Sequence, residues 1–186
     1  MIELLFLVLL PLIGSVVPVL TKSWSRSYSA LATAILPAAA LAVVLQLAPA
    51  IFSGETLFYQ MPWVEALGLS LSFRLDGLSL LFALLILCIG LLVILYARYY
   101  LAVTDSMARF YGFLMLFMTA MLGIVLSNNL LQLWLFWELT SISSFLLISF
   151  WWHRADARSG ARMALTITGF GGLALLAGIL LIGQVL

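Results

Sequence analysis

Leu130–Trp152 reads LLQLWLFWELTSISSFLLISFWW, and Glu138 is its only ionisable side chain. An apolar run of this length can cross hydrocarbon about 30 Å thick, which takes about 20 helical residues. The signature recurs. Six stretches of the chain qualify, at about Ile2–Leu20, Tyr28–Phe52, Gly77–Ala97, Phe110–Leu126, Leu130–Trp151 and Met163–Leu186. Composition agrees: 66% of the residues are hydrophobic and 8% are charged, where a soluble domain carries about 25% charged residues. The expected fold class is an all-α polytopic membrane protein with six transmembrane helices. Pro11, Pro18, Pro37 and Pro49 interrupt the first two stretches, so kinks are expected where neighbouring groups satisfy the freed carbonyls.

The connections have the polar, turn-forming character of membrane-surface loops. They are TKSWSRS, a longer segment from Ser53 to Asp76, RYYLAVTDSMAR, the turn Ser127–Asn129 and HRADARSGAR. Alternate connections carry Lys22 and Arg26, then Arg98 and Arg109, then Arg154, Arg158 and Arg162, whereas the opposite face has Arg74 alone. By the positive-inside rule this places the three basic loops in the cytoplasm and both the N-terminus and Leu186 outside the cell membrane. Trp24, Tyr28, Tyr96, Tyr99, Tyr100, Trp151 and Trp152 form the matching aromatic belt. Within the long outer segment, LGLSLSFRLD alternates apolar and polar residues from Leu67 to Asp76. That period of two predicts a strand, and LFYQMPWV is its expected partner in a small outer β-hairpin between the second and third helices. The chain thus divides into residues 1–76, two leading helices with the hairpin, and residues 77–186, a single membrane domain from the third helix onward.

Several function classes drop out. A net charge of +1 with scattered basic residues offers nothing for a nucleic acid. The single cysteine, Cys88, forms no internal disulfide and reads as a packing residue. The start MIELL puts an acid where a secretory signal peptide has its positive region. Metal-ligand clusters, nucleophile triads and phosphate-cradling glycine loops are absent from the sequence, so neither a metal nor a cofactor is expected.

Glu138 lies eight residues past Leu130, about 12 Å along a helix rising 1.5 Å per residue. A charge there costs roughly 2.5–3.5 kcal/mol on the insertion scale. The acid escapes that cost by taking up a proton, or by meeting a cation or water inside the protein. Either escape makes it responsive to protons, and intramembrane acids most often mark ion pathways. The plainer alternative is a neutral glutamate tying two helices together. Trp134, Leu135, Ser141 and Ile142 share its face by helical spacing. Ser141 is a candidate to donate to the carboxylate or hold a water, while Thr140, Ser143 and Ser144 point elsewhere and read as hydroxyls that bond back to their own helix or let helices approach closely.

Other ionisable groups are weaker accessory candidates. Asp76 opens the third helix, where an acid caps well and Arg74 is close by; an outer access path is the alternative. His153, the only histidine, reads as a solvated loop residue, with a proton relay as the second reading. Glu3 and Glu65 read as surface groups. The glycines of TITGFGGLALLAG read as helix-packing positions, with Thr168/Gly172 and Ala174/Gly178 at small-xxx-small spacing.

FRLDGLSLLFALLILCIGLLVILYARYYL, Phe73 to Leu101, and MLFMTAMLGIVLSNNLLQLWLFWELTSISSFLLISFWW, Met115 to Trp152, carry a resemblance. The chain resembles the N-terminal part of the large, A-type chain of Mrp-type multisubunit cation/proton antiporters. More broadly it is similar to the antiporter-like proton-pumping subunits of complex I, the chain 5 type especially. The resemblance implies that Glu138, on the fifth helix, carries a translocated proton together with a lysine on a later broken helix. It implies three leading helices before two inverted five-helix repeats, a hairpin after the second helix, no cofactor, and other antiporter subunits as partners in a membrane hetero-oligomer. Protons and Na⁺, with Li⁺ or K⁺ as alternatives, are the implied ions. Members of the family are several times longer, so the chain is expected to be a fragment, a split-gene product or a truncated form that does not transport alone. Where complex I relatives often have an acid in a V-G-D context, this chain has Phe170-Gly171-Gly172, which favours the antiporter branch. The runner-up function is a proton-pumping subunit of a complex I-like dehydrogenase or a membrane-bound hydrogenase. A third option is a structural role in assembly with a neutral Glu138.

Overall fold

The first span shows how the sequence shapes the backbone. Pro18 has no N–H to offer the Gly14 carbonyl, and the helix duly breaks at Ser15–Val16. The first span is therefore α1 (Glu3–Gly14) followed by the single turn α2 (Val17–Leu20) in the computed structural model, which describes residues 2–64 and 69–185. At the break the Ser15 hydroxyl donates to the Leu12 carbonyl at 2.6 Å. Pro37 and Pro49 behave differently, since α3 (Arg26–Phe52) stays helical through both. After the hairpin strands β1 (Leu57–Val64) and β2 (Leu69–Leu75) come α4 (Gly77–Tyr100), α5 (Met107–Leu126), α6 (Leu130–Ile148) and α7 (Ala155–Val185). With α1 and α2 counted as one, six helical spans among the described residues are long and apolar enough to cross a membrane.

Boundaries differ from expectation at the last span. HRADARSGAR reads as a loop, yet α7 begins at Ala155 and carries Arg158 and Arg162 in its opening turns. Hydropathy marks where hydrocarbon starts; alanine and arginine are good helix formers beyond it. Cys88 also departs from its packing role, because it lies exposed on the outward face of α4. Apolar composition alone does not distinguish a lipid-facing from a core-facing position.

The central element is α5, which touches α1, α3, α4, α6 and β2. Its Tyr111 is fully buried and donates its hydroxyl to the Ile94 carbonyl of α4 at 3.1 Å. Helices in lipid gain little from apolar burial as such and associate through close packing. Two glycines supply it: a Cβ on Gly90 would collide with Met118, and one on Gly123 with the ring of Phe136. At the basic end, Tyr96 stacks on Tyr100 with centroids 5.1 Å apart, and Trp151 joins at 6.4 Å from Tyr100. Its indole N–H donates to Asp105 Oδ1 at 3.1 Å.

At the other end, β1 and β2 pair antiparallel from Leu57↔Leu75 to Val64↔Leu69, with an irregularity between Pro62 and Val64. LFYQMPWV is thus the partner strand. The Glu65, Leu67 and Gly68 readings fall outside the described residues. Phe73 and Leu75 face the core as the alternation predicts, but Ser72, on the other face, is buried too. The cause is a clamp from α6. Ser72 N–H donates to Gln132 Oε1 at 2.7 Å, and Gln132 Nε2 donates to the Ser72 carbonyl at 3.1 Å and to Ser127 Oγ at 3.1 Å. Asn128 N–H adds a bond to the same carbonyl at 2.8 Å. The side-chain amide stands in for a neighbouring strand along the open edge of β2. Gln132→Leu therefore orphans a buried backbone N–H, and a loss of about 1–3 kcal/mol is expected. Thermal unfolding in detergent should show it as a lowered midpoint, with earlier proteolytic cutting in the hairpin; unchanged protection would refute the clamp.

Candidate functional site

Asn129 starts α6 by accepting the Leu131 and Gln132 N–H groups on its side-chain oxygen, at 2.9 and 3.1 Å. This fixes the helical phase that presents Glu138, mid-helix, to α7. The carboxylate lies directly against Gly172. A Cβ at that position would overlap Glu138 Oε1 and stand 3.5 Å from Trp137 Cδ1. One turn earlier, Trp134 Nε1–H donates to the Gly172 carbonyl at 3.0 Å, so two tryptophans and the glutamate grip one glycine of the neighbouring helix. Glu138 Oε1 is buried, and no described residue donates a hydrogen bond to it. An unmet carboxylate oxygen inside a protein is costly.

The structure places the other candidates apart from this contact. The buried Ser141 donates to the Trp137 carbonyl at 3.3 Å instead of to Glu138. Thr140 and Ser143 likewise bond back to their own helix, at 2.7 Å to Trp137 O and 2.7 Å to Leu139 O. Asp76 is the N-cap of α4: its Oδ1 accepts Ser79 N–H at 2.9 Å, while Ser79 Oγ accepts Asp76 N–H at 2.7 Å. Arg74 Nη2 is 3.1 Å from Asp76 Oδ2. The Ser79 backbone N–H above all, helped by its hydroxyl and by Arg74, holds the Asp76 carboxyl below the usual carboxylate range. A lowered value means the cap persists through neutral pH and is lost only as acidification passes that value. His153 is exposed in the turn after α6, and its carbonyl accepts Arg158 Nη1–H at 3.2 Å. Glu3 is exposed in the first turn of α1.

Sequence reasoning missed two things here. It gave Trp134 a shared face without a partner, and it treated Gly172 as one packing glycine among several. Gly169, Gly171 and Gly178 have open space where a Cβ would go, so Gly172 stands out from them only through its contact with α6.

Two family models match the chain. One, described as "NADH-Ubiquinone oxidoreductase (complex I), chain 5 N-terminus", takes in residues 61–111. The other, described as "NADH:quinone oxidoreductase/Mrp antiporter, TM", takes in residues 127–185 and with them Glu138 and Gly172. The chain belongs to the complex I chain 5/Mrp antiporter family. It is 47% identical over 178 residues to a probable K(+)/H(+) antiporter A/B chain of Rhizobium meliloti, covering 96% of this chain and 18% of that protein. It is 46% identical over 176 residues to the A1 chain of a Na(+)/H(+) antiporter of Staphylococcus aureus, covering 94% of this chain and 22% of that protein. The chain therefore spans about a fifth of the length of these antiporter relatives. Among solved structures it is similar to a chain of the Mrp complex from Dietzia sp. DQ12-45-1b, with a TM-score of 0.78 and 29% identity over 95% of this chain and 19% of that one. A chain of an archaeal membrane-bound sulfane sulfur reductase shares the fold, with a TM-score of 0.81 at 23% identity over 97% of this chain and 27% of that one.

The Glu138–Gly172 contact in this antiporter-family chain makes a direct prediction. Gly172→Ala should force the carboxylate aside or part α6 from α7, at a cost on the order of 1–3 kcal/mol. The infrared band of the Glu138 side chain should shift with it. Gly171→Ala, made into open space, should leave both stability and band unchanged. Identical behaviour of the two variants would overturn the assignment of Gly172 as the carboxylate's seat.

Proposed function

We propose that the chain is part of the proton-translocating subunit of a multisubunit monovalent cation/proton antiporter, with Na⁺ the exchanged ion, and that Glu138 binds and releases the proton. The observation that carries this reading is the buried, hydrogen-bond-free Oε1 of Glu138 at the α6–α7 contact. Its support is the pair of antiporter relatives, one named for Na⁺ and one for K⁺. A cation approaching Glu138 favours the carboxylate, and its withdrawal favours the protonated acid. That alternation is the switch. A lysine elsewhere in the complete polypeptide is the proposed cation, and the other subunits of a membrane hetero-oligomer are the proposed partners. The orientation that fits is basic loops in the cytoplasm and hairpin outside the cell membrane. Ser141 takes an accessory part only if its hydroxyl turns from Trp137 to the carboxylate; Asp76 and His153 serve the two surfaces.

A second reading has its own support, the chain 5 match and the fold shared with the sulfur reductase. In it the same glutamate serves a pump driven by electron transfer in other subunits. Everted vesicles separate the two. In the complete assembly, Na⁺-dependent collapse of a preset pH gradient without an electron donor is expected for the antiporter, and its absence for the pump. Glu138→Gln and Glu138→Ala should abolish that exchange while membrane insertion stays normal. Wild-type exchange in either variant would remove Glu138 from the proton path.

A further inference from the structure

Two cavities at the basic end meet along Lys22, Ser106 and Ala108. The first, about 330 Å³, is bounded by Lys22, Trp24, Arg26 and the start of α5. The second, about 390 Å³, runs down between α2 and α5, from Lys22 and Arg109 at its mouth to Val19, Phe113 and Leu116 below. Cations at its mouth and apolar side chains beneath are the two halves of an amphiphile's complement.

The cations are not spoken for. Among the described residues, Lys22, Arg26 and Arg109 form no ion pair. Arg26 Nη2 donates to the Leu101 carbonyl at 2.5 Å, but its Nε is buried with no hydrogen-bond partner. Arg109 donates Nη2–H to the Phe150 carbonyl at 2.7 Å and lies 5.1 Å from that ring's centroid, which leaves its other N–H groups for a ligand. Asp105, the one carboxylate on the first cavity, accepts from Ala102 N–H at 3.0 Å and from Trp151 Nε1–H at 3.1 Å. Among the described residues, none that lines the second cavity is a carboxylate. α5 also begins here, and its N-terminus adds partial positive charge.

We infer that the groove between α2 and α5 binds one anionic phospholipid, with its phosphate against Lys22 and Arg109 and an acyl chain along Val19, Phe113 and Leu116. Charge decides the class. A zwitterionic headgroup would bring its own cation to a mouth that already holds two, and a free anion would leave the apolar groove unused. Basic pockets between membrane helices recognise anionic headgroups in this way.

The complete assembly, delipidated and titrated with phosphatidylglycerol or with phosphatidylcholine of the same acyl chains, should retain one phosphatidylglycerol by native mass spectrometry and release phosphatidylcholine. Each cation removed should weaken retention about fivefold, so Lys22→Gln with Arg109→Gln should weaken it by about 25-fold. Arg98→Gln with Arg162→Gln, which removes equal charge from the same end, should leave retention unchanged. Leu116→Trp, which fills the groove and keeps every charge, should also lose the lipid and guards against misfolding of the charge variant. Three outcomes overturn the proposal: equal loss in both charge pairs, equal retention of the two lipids, or displacement of the bound lipid by soluble glycerol phosphate at matching concentration.

Discussion

Hydrocarbon offers no hydrogen bonds, and that constraint orders this structure from end to end. Each polar group at membrane depth has to find its partner within the protein. Thr140, Ser141 and Ser143 of α6 meet it by bonding back to carbonyls of their own helix, as does Thr119 to Met115 O at 2.8 Å in α5. Tyr111 meets it by reaching across to α4. The break in the first span comes where Pro18 withdraws an N–H, and Ser15 provides a local bond beside it. Against this thrift, Glu138 Oε1, midway along α6, is buried with no hydrogen-bond partner among the described residues. The bare carboxylate oxygen stands apart from the back-bonded hydroxyls of Thr140, Ser141 and Ser143 on the same helix.

Packing is governed by the same solvent. Since lipid tails are as apolar as leucine, helices are held by how closely they approach. Three glycines set that distance at three successive interfaces, with Met118 on Gly90, Phe136 on Gly123 and Glu138 on Gly172. The last is unlike the others because the group seated on the glycine is ionisable. Close approach there sets the carboxylate directly against α7. The outer face of α7 remains apolar and exposed at Ile167, Phe170, Leu173 and Leu181.

The two membrane ends are built differently. At the hairpin end, polarity is used up internally: Gln132, Asn128 and Ser127 close the edge of β2, and Asp76 is taken by Ser79 and Arg74. At the basic end, aromatic rings stack in a belt while Lys22, Arg26 and Arg109 remain without carboxylate partners among the described residues. One end has its β2 edge and its helix cap hydrogen-bonded from within. The other presents positive charge above an apolar groove.

Much of this was legible from local pattern. Hydropathy over about 20 residues located every span, alternation located β2, and LFYQMPWV proved to be β1 to the residue. The Asp76 cap followed from its place before a helix, and the mid-helix position of Glu138 followed from counting residues along α6. Each of these depends only on neighbours within a turn or a strand, so the linear sequence by itself determined them. Tertiary structure decided the rest. That Gln132 clamps Ser72, 60 residues away, and that Trp134 and Glu138 seat on Gly172 and not on Gly171 or Gly178, depends on the relative rotation and distance of packed helices. So does the exposure of Cys88 on a helix that is apolar all round. Periodicity gives the faces of a helix, but which face meets which neighbour is set only when the helices pack, because in lipid a leucine facing the bundle and one facing the bilayer have nearly the same free energy.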